Sequence, residues 1–200
     1  MITVYGASGH AKVVIDIIKK SNETIAQVLD DNHTIDSILE YEVGIPEDKE
    51  YKNVVIAIGD NAIRRLIVKN INATYVSPLI HTTATIGSGV SIDKGTVVMA
   101  RTIINASVTI GAHCIINSGS IIEHDAIIGD FVHVSPGAIV TGGVCIGAGS
   151  HIGAGAVILP NIKIGKNVVI GASSVVLRDI EDNIVVAGNP ARLLKKNTDK

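Results

Sequence analysis

His124 and Asp125 are the residues of this chain best placed to move a proton. An imidazole has an ordinary pKa near 6.5, which suits proton transfer at neutral pH. Neighbours along a strand point to opposite faces, so Asp125 reaches the ring only if the backbone turns there. Without that turn the pair is a solvated corner. Gly142 follows His124 by eighteen residues, Gly143 follows Asp125 by eighteen, and His151 follows His133 by eighteen. A second set opens the chain, Gly6-Ala7-Ser8-Gly9-His10-Ala11-Lys12. Gly6 and Gly9 let the backbone approach a phosphate, a helix N-terminus behind them favours an anion, and Lys12 adds a charge. Asp30 and Asp31 lie 21 and 22 residues beyond Gly9, about where an acid meets a ribose hydroxyl in nucleotide folds. The motif is Gly-x-x-Gly rather than Gly-x-Gly-x-x-Gly, and it also fits a plain strand-to-helix turn.

The spacing of eighteen has a structural cause. Every sixth residue from Ile80 to Val176 is Ile or Val, seventeen in succession. Four residues after each aliphatic stands a small or β-branched residue, as at Thr96, Thr102, Cys114, Ser120 and Ala126, and Gly often follows directly, as at Gly111, Gly129 and Gly147. Strands suit the β-branched positions and turns the glycines, whereas a helix would repeat near 3.6 residues. Six residues per side and three sides make an 18-residue coil of a parallel β-helix, with coils about 4.8 Å apart. Gly142 then lies over His124, Gly143 over Asp125, and His151 over His133. His124 is third and Asp125 fourth in their hexad, where a corner should fall. A backbone N–H at Gly142 can meet negative charge developing above the imidazole. His151 also reads simply as a stacked, exposed histidine.

The first part of the chain alternates strand and helix. Strands are expected at 2–5, 26–29, 54–58 and 74–76, and helices at 11–20 and 62–70. This implies a small parallel sheet with ligand loops at its strand ends. Gly6, Ser8, Gly9, His10, Lys12, Asp30, Asp31 and Gly59 collect at those ends. Residues 1–79 are expected to form a small Rossmann-like α/β domain that binds a nucleotide. Residues 80–200 are expected to form the β-helix and a C-terminal segment. Eighty residues make about half a dinucleotide fold, which disfavours hydride transfer.

Composition excludes several classes. The chain is 46% hydrophobic with one Phe and no Trp, as a narrow prism of Ile and Val requires. A net charge of −2 without a dense basic tract argues against nucleic acid. No apolar run approaches the roughly 20 residues of a membrane span. No basic stretch followed by an apolar one opens the chain, so a cytoplasmic protein is expected. Two cysteines make no disulfide framework, and Cys114 reads as core.

The hexads resemble the left-handed parallel β-helix of the hexapeptide-repeat acyltransferases. The Gly6–Lys12 loop, Asp30-Asp31 and His124-Asp125 together resemble one branch, the bacillosamine-type nucleotide-sugar N-acetyltransferases, related to the sialic acid O-acetyltransferase group. That resemblance implies transfer of acetyl from acetyl-CoA to the 4-amino group of a UDP-linked 4-amino-4,6-dideoxy sugar. It implies a homotrimer with active sites between adjacent prisms, no metal, and products that feed bacterial surface glycans. It makes His124 the general base, Asp125 the acid that orients it, and Gly142 the amide that meets the thioester oxygen. It places His133 near the acetyl group and pantetheine. Asn117 stands one hexad before Glu123, which suggests a place near the base as an aid to holding the acceptor. Ala154 and Ala172, again eighteen apart, would leave a groove for the pantetheine. Lys166 and Arg178 are candidates for the CoA phosphates, though each also fits solvated surface. Gly188-Asn189-Pro190-Ala191-Arg192 resembles the segment that closes many acyltransferases of this fold. With Asn189 as N-cap and Pro190 at the first helical position, a short C-terminal helix that helps bind CoA is expected, with Lys195-Lys196 at its end.

Three other readings fit parts of the pattern. A sugar O-acetyltransferase would use the same donor. A zinc enzyme of the carbonic anhydrase type would draw on His81, His113, His124, His133 and His151, but the spacing of nine between His124 and His133 does not suit that site. A non-catalytic nucleotide-sugar binder would not need His124, Asp125, Gly142 and His133 together.

Overall fold

The computed structural model describes residues 1–47 and 49–198, so Asp199 and Lys200 of the expected second domain lie outside the described residues. The first strands are β1 (Ile2–Tyr5), β2 (Ile25–Leu29), β3 (Ser37–Ile38), β4 (Tyr41–Gly44), β5 (Tyr51–Ile56) and β6 (Ala73–Tyr75). They form one sheet in the order β3-β4-β2-β1-β5-β6, parallel except for the β3–β4 pair. Helix α1 (Gly9–Lys20) follows β1 and α2 (Asn61–Asn70) follows β5. The four expected strands and two expected helices are present, with no end moved by more than three residues. The β3–β4 hairpin was not expected, because a two-residue strand carries no periodicity to read.

From β7 (Leu79–Ile80) to β23 (Val175–Val176) run seventeen two-residue strands. Each of the first fourteen pairs in parallel with the strand eighteen residues on, as in Ile115↔His133 and His133↔His151. Three faces result. The first carries the pairs that begin with Leu79, Val97, Ile115, His133, His151 and Val169, the second those from Thr85 to Val175, and the third those from Ser91 to Lys163. The second residue of each pair points inward, and from Ile104 to Val176 these side chains are buried. Each such burial contributes about 1.5–3 kcal/mol. Ile86 is 38% exposed because it sits in the first coil, where no earlier coil covers it. Inward hydroxyls close on backbone carbonyls, as Ser120 does on Asn117 at 2.7 Å and Ser150 on Gly165 at 2.7 Å, so the small-residue column is satisfied.

The first face explains how the two parts join. Its outward residues Leu79, Val97 and Ile115, with Met99, pack under Val14, Ile15, Ile17 and Ile18 of α1 in one buried cluster. Those α1 residues recur at helical spacing, which gives the helix one apolar side. Below that patch the same outward positions become His133 and His151.

The short C-terminal helix expected from Asn189 and Pro190 is not formed. Ile184–Ala187 instead forms β24, parallel to Val169–Ile170, and Arg192–Lys196 forms β25, antiparallel to β24. The last coil leaves an open edge of N–H and C=O groups, and the β-branched Ile184, Val185 and Val186 fit that ladder better than helix. Gly188, at φ +104, makes the turn between them.

Candidate active site

His124 stands at the corner between the second and third faces. Asp125 adopts φ 61, in the left-handed region, and this swings its carboxylate back to the preceding ring. Its Oδ2 lies 2.8 Å from His124 Nδ1. An ionised carboxylate only accepts, so Nδ1 carries the proton and the neutral ring offers its Nε2 lone pair. The hydrogen bond to Asp125 is the main cause that raises the His124 pKa above its ordinary value, with the Glu123 charge adding to it. Asp125→Asn is expected to move the acid limb of kcat/KM to lower pH. The base must be neutral to act, and removing the carboxylate lowers the pH at which it becomes so. An unshifted limb in a pH profile, with the same acceptor amine in both proteins, would separate Asp125 from the base.

Gly142 lies one coil above. A Cβ there would fall 2.7 Å from His124 Cε1 and 2.8 Å from Nε2, so this glycine leaves the space over the imidazole open. The Gly142 carbonyl joins the ladder through Asn161 N–H at 2.9 Å, and Gly143 N–H bonds to His124 O at 3.0 Å. Among the described residues nothing accepts from the Gly142 N–H. At two other corners the equivalent amide is taken, Ala112 by Asp130 and Lys166 by Asp182. His124, Gly142, Pro160 and Arg178 thus form one column, eighteen residues apart. Arg178, Arg192 and Leu193 line a small pocket of about 210 Å³ at its far end.

His133 is elsewhere, on the first face. It lines a cleft of about 740 Å³ with Gly59, Asp60, Asn61, Ala62, His151 and others, between the start of α2 and the β-helix. The Asn117 amide lies 3.0 Å from His133 Nε2. With that amide donating, the His133 proton sits on Nδ1, which is buried and has no partner among the described residues. Burial first, then the charges of His151, Arg64 and His10, push the His133 pKa down to about 3. It is therefore a neutral imidazole near pH 7. His151 stacks on it at 4.8 Å and pairs with Ser135 Oγ at 2.8 Å. Asn117, expected near the base, lies within one chain beside His133, because it follows a first-face strand and His124 follows a second-face one.

The nucleotide loop is partly filled by its own chain. Asp30 Oδ2 accepts from Ala7 N–H at 2.6 Å, and Asp31 Oδ1 accepts from the Tyr5 hydroxyl at 2.9 Å. Asp30 therefore fixes the loop, and Ala7 N–H is not free for a phosphate. Ser8 and Gly9 are exposed at the start of α1, and Lys12 one turn on is exposed as well. His10 Nε2 is buried without a partner, and burial pushes its pKa down to about 4. Ala154 and Ala172 are exposed at the corner between the first and second faces, and Lys166 is exposed at the corner between the third and first. One chain therefore does not gather the expected CoA residues into one groove, and Pro190 lies in a hairpin loop. His81, His113, His124, His133 and His151 are likewise divided, and no group of three His, Cys, Asp or Glu that could hold a metal occurs among the described residues.

The description "PglD N-terminal domain" matches residues 1–71, and "Bacterial transferase hexapeptide (six repeats)" matches residues 143–178. The acetyltransferase domain of PglB from Neisseria gonorrhoeae, solved with acetyl coenzyme A, is 33% identical over 96% of this chain and 98% of its own, with a TM-score of 0.88. This chain belongs to the bacillosamine-type nucleotide-sugar N-acetyltransferases. A mutant of perosamine N-acetyltransferase from Caulobacter crescentus, in complex with CoA and GDP-perosamine, is 30% identical over 98% and 97% of the two chains, with a TM-score of 0.89. WeeI from Acinetobacter baumannii is 29% identical over 97% and 99%, with a TM-score of 0.85. No curated protein sequence matches significantly. The α/β domain followed by a left-handed β-helix is thus the architecture of an acetyltransferase, as the hexads led one to expect.

Several residues of this acetyltransferase escaped sequence reading. Asn61 and Arg65 line the cleft, and Arg64 lies buried behind it. The Gly59-Asp60-Asn61 turn was the available signal for Asn61, and nothing local marked the arginines. The buried histidines also have a consequence for stability. His10 and His113 are held neutral down to about 4, and His133 to about 3. Unfolded, each takes a proton near pH 6.5. Below that pH the unfolded state binds more protons, so stability falls as pH falls. Melting temperature is expected to drop by at least about 5 °C from pH 7 to pH 5, where most carboxylates remain charged. A flat profile over that range would contradict the neutral burial.

Proposed function

We propose that this acetyltransferase moves acetyl from acetyl-CoA to the 4-amino group of a UDP-linked 4-amino-4,6-dideoxy sugar. His124 Nε2 takes the proton that the attacking amine loses as the C–N bond forms, and the C–S bond breaks to release CoA, whose sulfur receives that proton to leave as the thiol. The Gly142 N–H meets the negative charge that develops on the thioester oxygen. Asp125 holds the imidazole in its useful tautomer. The observation that carries this reading is a free backbone amide directly above an Asp-oriented imidazole. The column leading from it to Arg178 fits the donor, since three coil steps span about 14 Å and end at an arginine pair suited to phosphate.

In this reading residues 1–79 hold the nucleotide through Gly6, Ser8, Gly9, His10, Lys12, Asp31 and Gly59, with Asp30 shaping the loop. Residues 80–200 carry the transfer. His124 and His133 occupy different faces of one prism, which supports a homotrimer in which one chain's His133 cleft faces a neighbour's His124 corner. The outward residues of the second face support it too. Ile103, Ile121, Ile139, Val157 and Val175 form an apolar strip that is half-buried to exposed in the single chain. Among the described residues no helix is long and apolar enough to cross a membrane. Work in the cytoplasm, on precursors of surface glycans, fits the donor and acceptor.

The test is thiol release from acetyl-CoA against amino sugars linked to UDP, dTDP or GDP, with hydroxyl-only sugars as controls. Turnover with the UDP-linked 4-amino sugar supports the full reading. Turnover with another nucleotide keeps the chemistry and replaces the UDP. Turnover with hydroxyl acceptors alone would make the protein an O-acetyltransferase.

A further inference from the structure

Arg64 is 1% exposed, yet no carboxylate lies within salt-bridge distance of it among the described residues. Its five N–H groups meet five oxygens instead. Three belong to the turn that leads into α2 and to its first residue, Ile58 O at 2.9 Å, Gly59 O at 3.2 Å and Asn61 Oδ1 at 2.7 Å. Two belong to the β-helix, His113 O at 2.8 Å and Phe131 O at 3.1 Å. Asn61 continues the bridge, since its Nδ2 donates to Gly149 O and Ser150 O, both at 3.1 Å.

His113, Phe131 and Gly149 are eighteen apart. They are the same corner position in three successive coils, with φ of 55, 57 and 74. None of their carbonyls accepts a backbone hydrogen bond among the described residues, so the corner presents a column of free acceptors. Arg64 takes the first two and Asn61 the third. The spacing of that column is the coil spacing itself, so the two side chains register the turn against the β-helix as a rack holds a pinion.

A buried guanidinium without a counter-ion is costly, and an apolar side chain of similar length would dock α2 without that cost. What the guanidinium adds is direction, a planar fork with five fixed donors that the lysine ammonium cannot copy. The docking of α1 is an apolar patch, which is non-directional. The turn that Arg64 holds, Gly59 to Asn61, forms one wall of the cleft opposite His133.

We propose that Arg64 is a positioning residue, which locks the Gly59–Asn61 turn at a fixed distance from His133 and so sets where the acceptor sugar lies. Its activity readout rests on the acetyl-transfer reading above, and its structural readout does not. Arg64→Lys keeps the charge and loses the fork. It is expected to lower kcat/KM for the acceptor by about 10–100-fold, since a displacement near 1 Å has that order of effect, while KM for acetyl-CoA stays within about twofold. Amide exchange over residues 58–62 should quicken while the β-helix strands keep their protection. Asn61→Ala, a milder lesion should Arg64→Lys fold poorly, is expected to show the same split at about fivefold.

Acceptor kcat/KM within threefold of wild type together with unchanged exchange at 58–62 would overturn the proposal. So would parallel losses for acceptor and acetyl-CoA with faster exchange throughout, which would make Arg64 a general stabiliser. If wild type turned over no acceptor in the panel, the acetyl-transfer reading would fail by itself. Exchange at 58–62 in Arg64→Lys would still decide whether Arg64 holds the turn.

Discussion

Replacing His124 by alanine is expected to lower kcat/KM by about 10²–10⁴, the usual span for loss of a general base. The ring is exposed, with 64% of its side chain open to solvent, and it packs into no core, so melting temperature should not change. Affinity for CoA should also hold, because Gly142, Pro160 and Arg178 keep their positions in the column. The loss should be smallest with the acceptor amine that is most readily neutral at assay pH, since an amine that has already lost its proton asks less of a base. His124→Gln tests the same role with a neutral side chain of comparable reach that cannot take a proton, and it should be as damaging as alanine. A loss below tenfold in a folded protein would move the base elsewhere. His133 is a poor substitute, since burial holds its pKa near 3 and leaves it no proton-accepting role at neutral pH.

Much of this geometry could be read in the sequence because a β-helix converts spacing along the chain into position in space. A residue and the one eighteen further on must stack, so Gly142 over His124 and His151 over His133 were deducible before any coordinates. The His124–Asp125 contact was deducible only as a condition, that the backbone turn between them, and φ 61 at Asp125 meets it. What could not be read depends on contacts between distant segments. Arg64 sits on a polar-looking helix where an arginine ordinarily faces water. Its burial arises from carbonyls 49 and 67 residues away. Asn117 lies on a different face from its own chain's His124 for a related reason. Proximity in sequence to Glu123 suggested proximity to the base, but a hexad step turns a corner of the prism and carries the chain to another face. The C-terminal hairpin was hidden because local capping signals at Asn189 and Pro190 favour a helix, while the open edge of the last coil, a property of the whole solenoid, favours strands.

Gly142 allows the proposed oxyanion contact to be separated from the space that surrounds it. Gly142→Ala keeps the N–H but places a methyl within 2.7 Å of His124 Cε1, and the exposed ring can yield by swinging outward. A loss of about tenfold is expected from that displacement. Gly142→Pro adds comparable bulk and also removes the donor. The fold tolerates proline at this kind of corner, because Pro160 occupies the same column one coil later and Pro136 the equivalent place on another corner. Since the Gly142 N–H has no partner in the ladder, proline costs no backbone hydrogen bond. Any loss beyond that of the alanine variant therefore reports the amide. It is expected to be a further 10² or so in kcat, about the effect of deleting one oxyanion donor, with melting temperature close to that of the alanine variant. Equal rates in the two variants would mean that the thioester oxygen lies elsewhere. The free amide would then be a consequence of how every coil turns its corner rather than part of the chemistry.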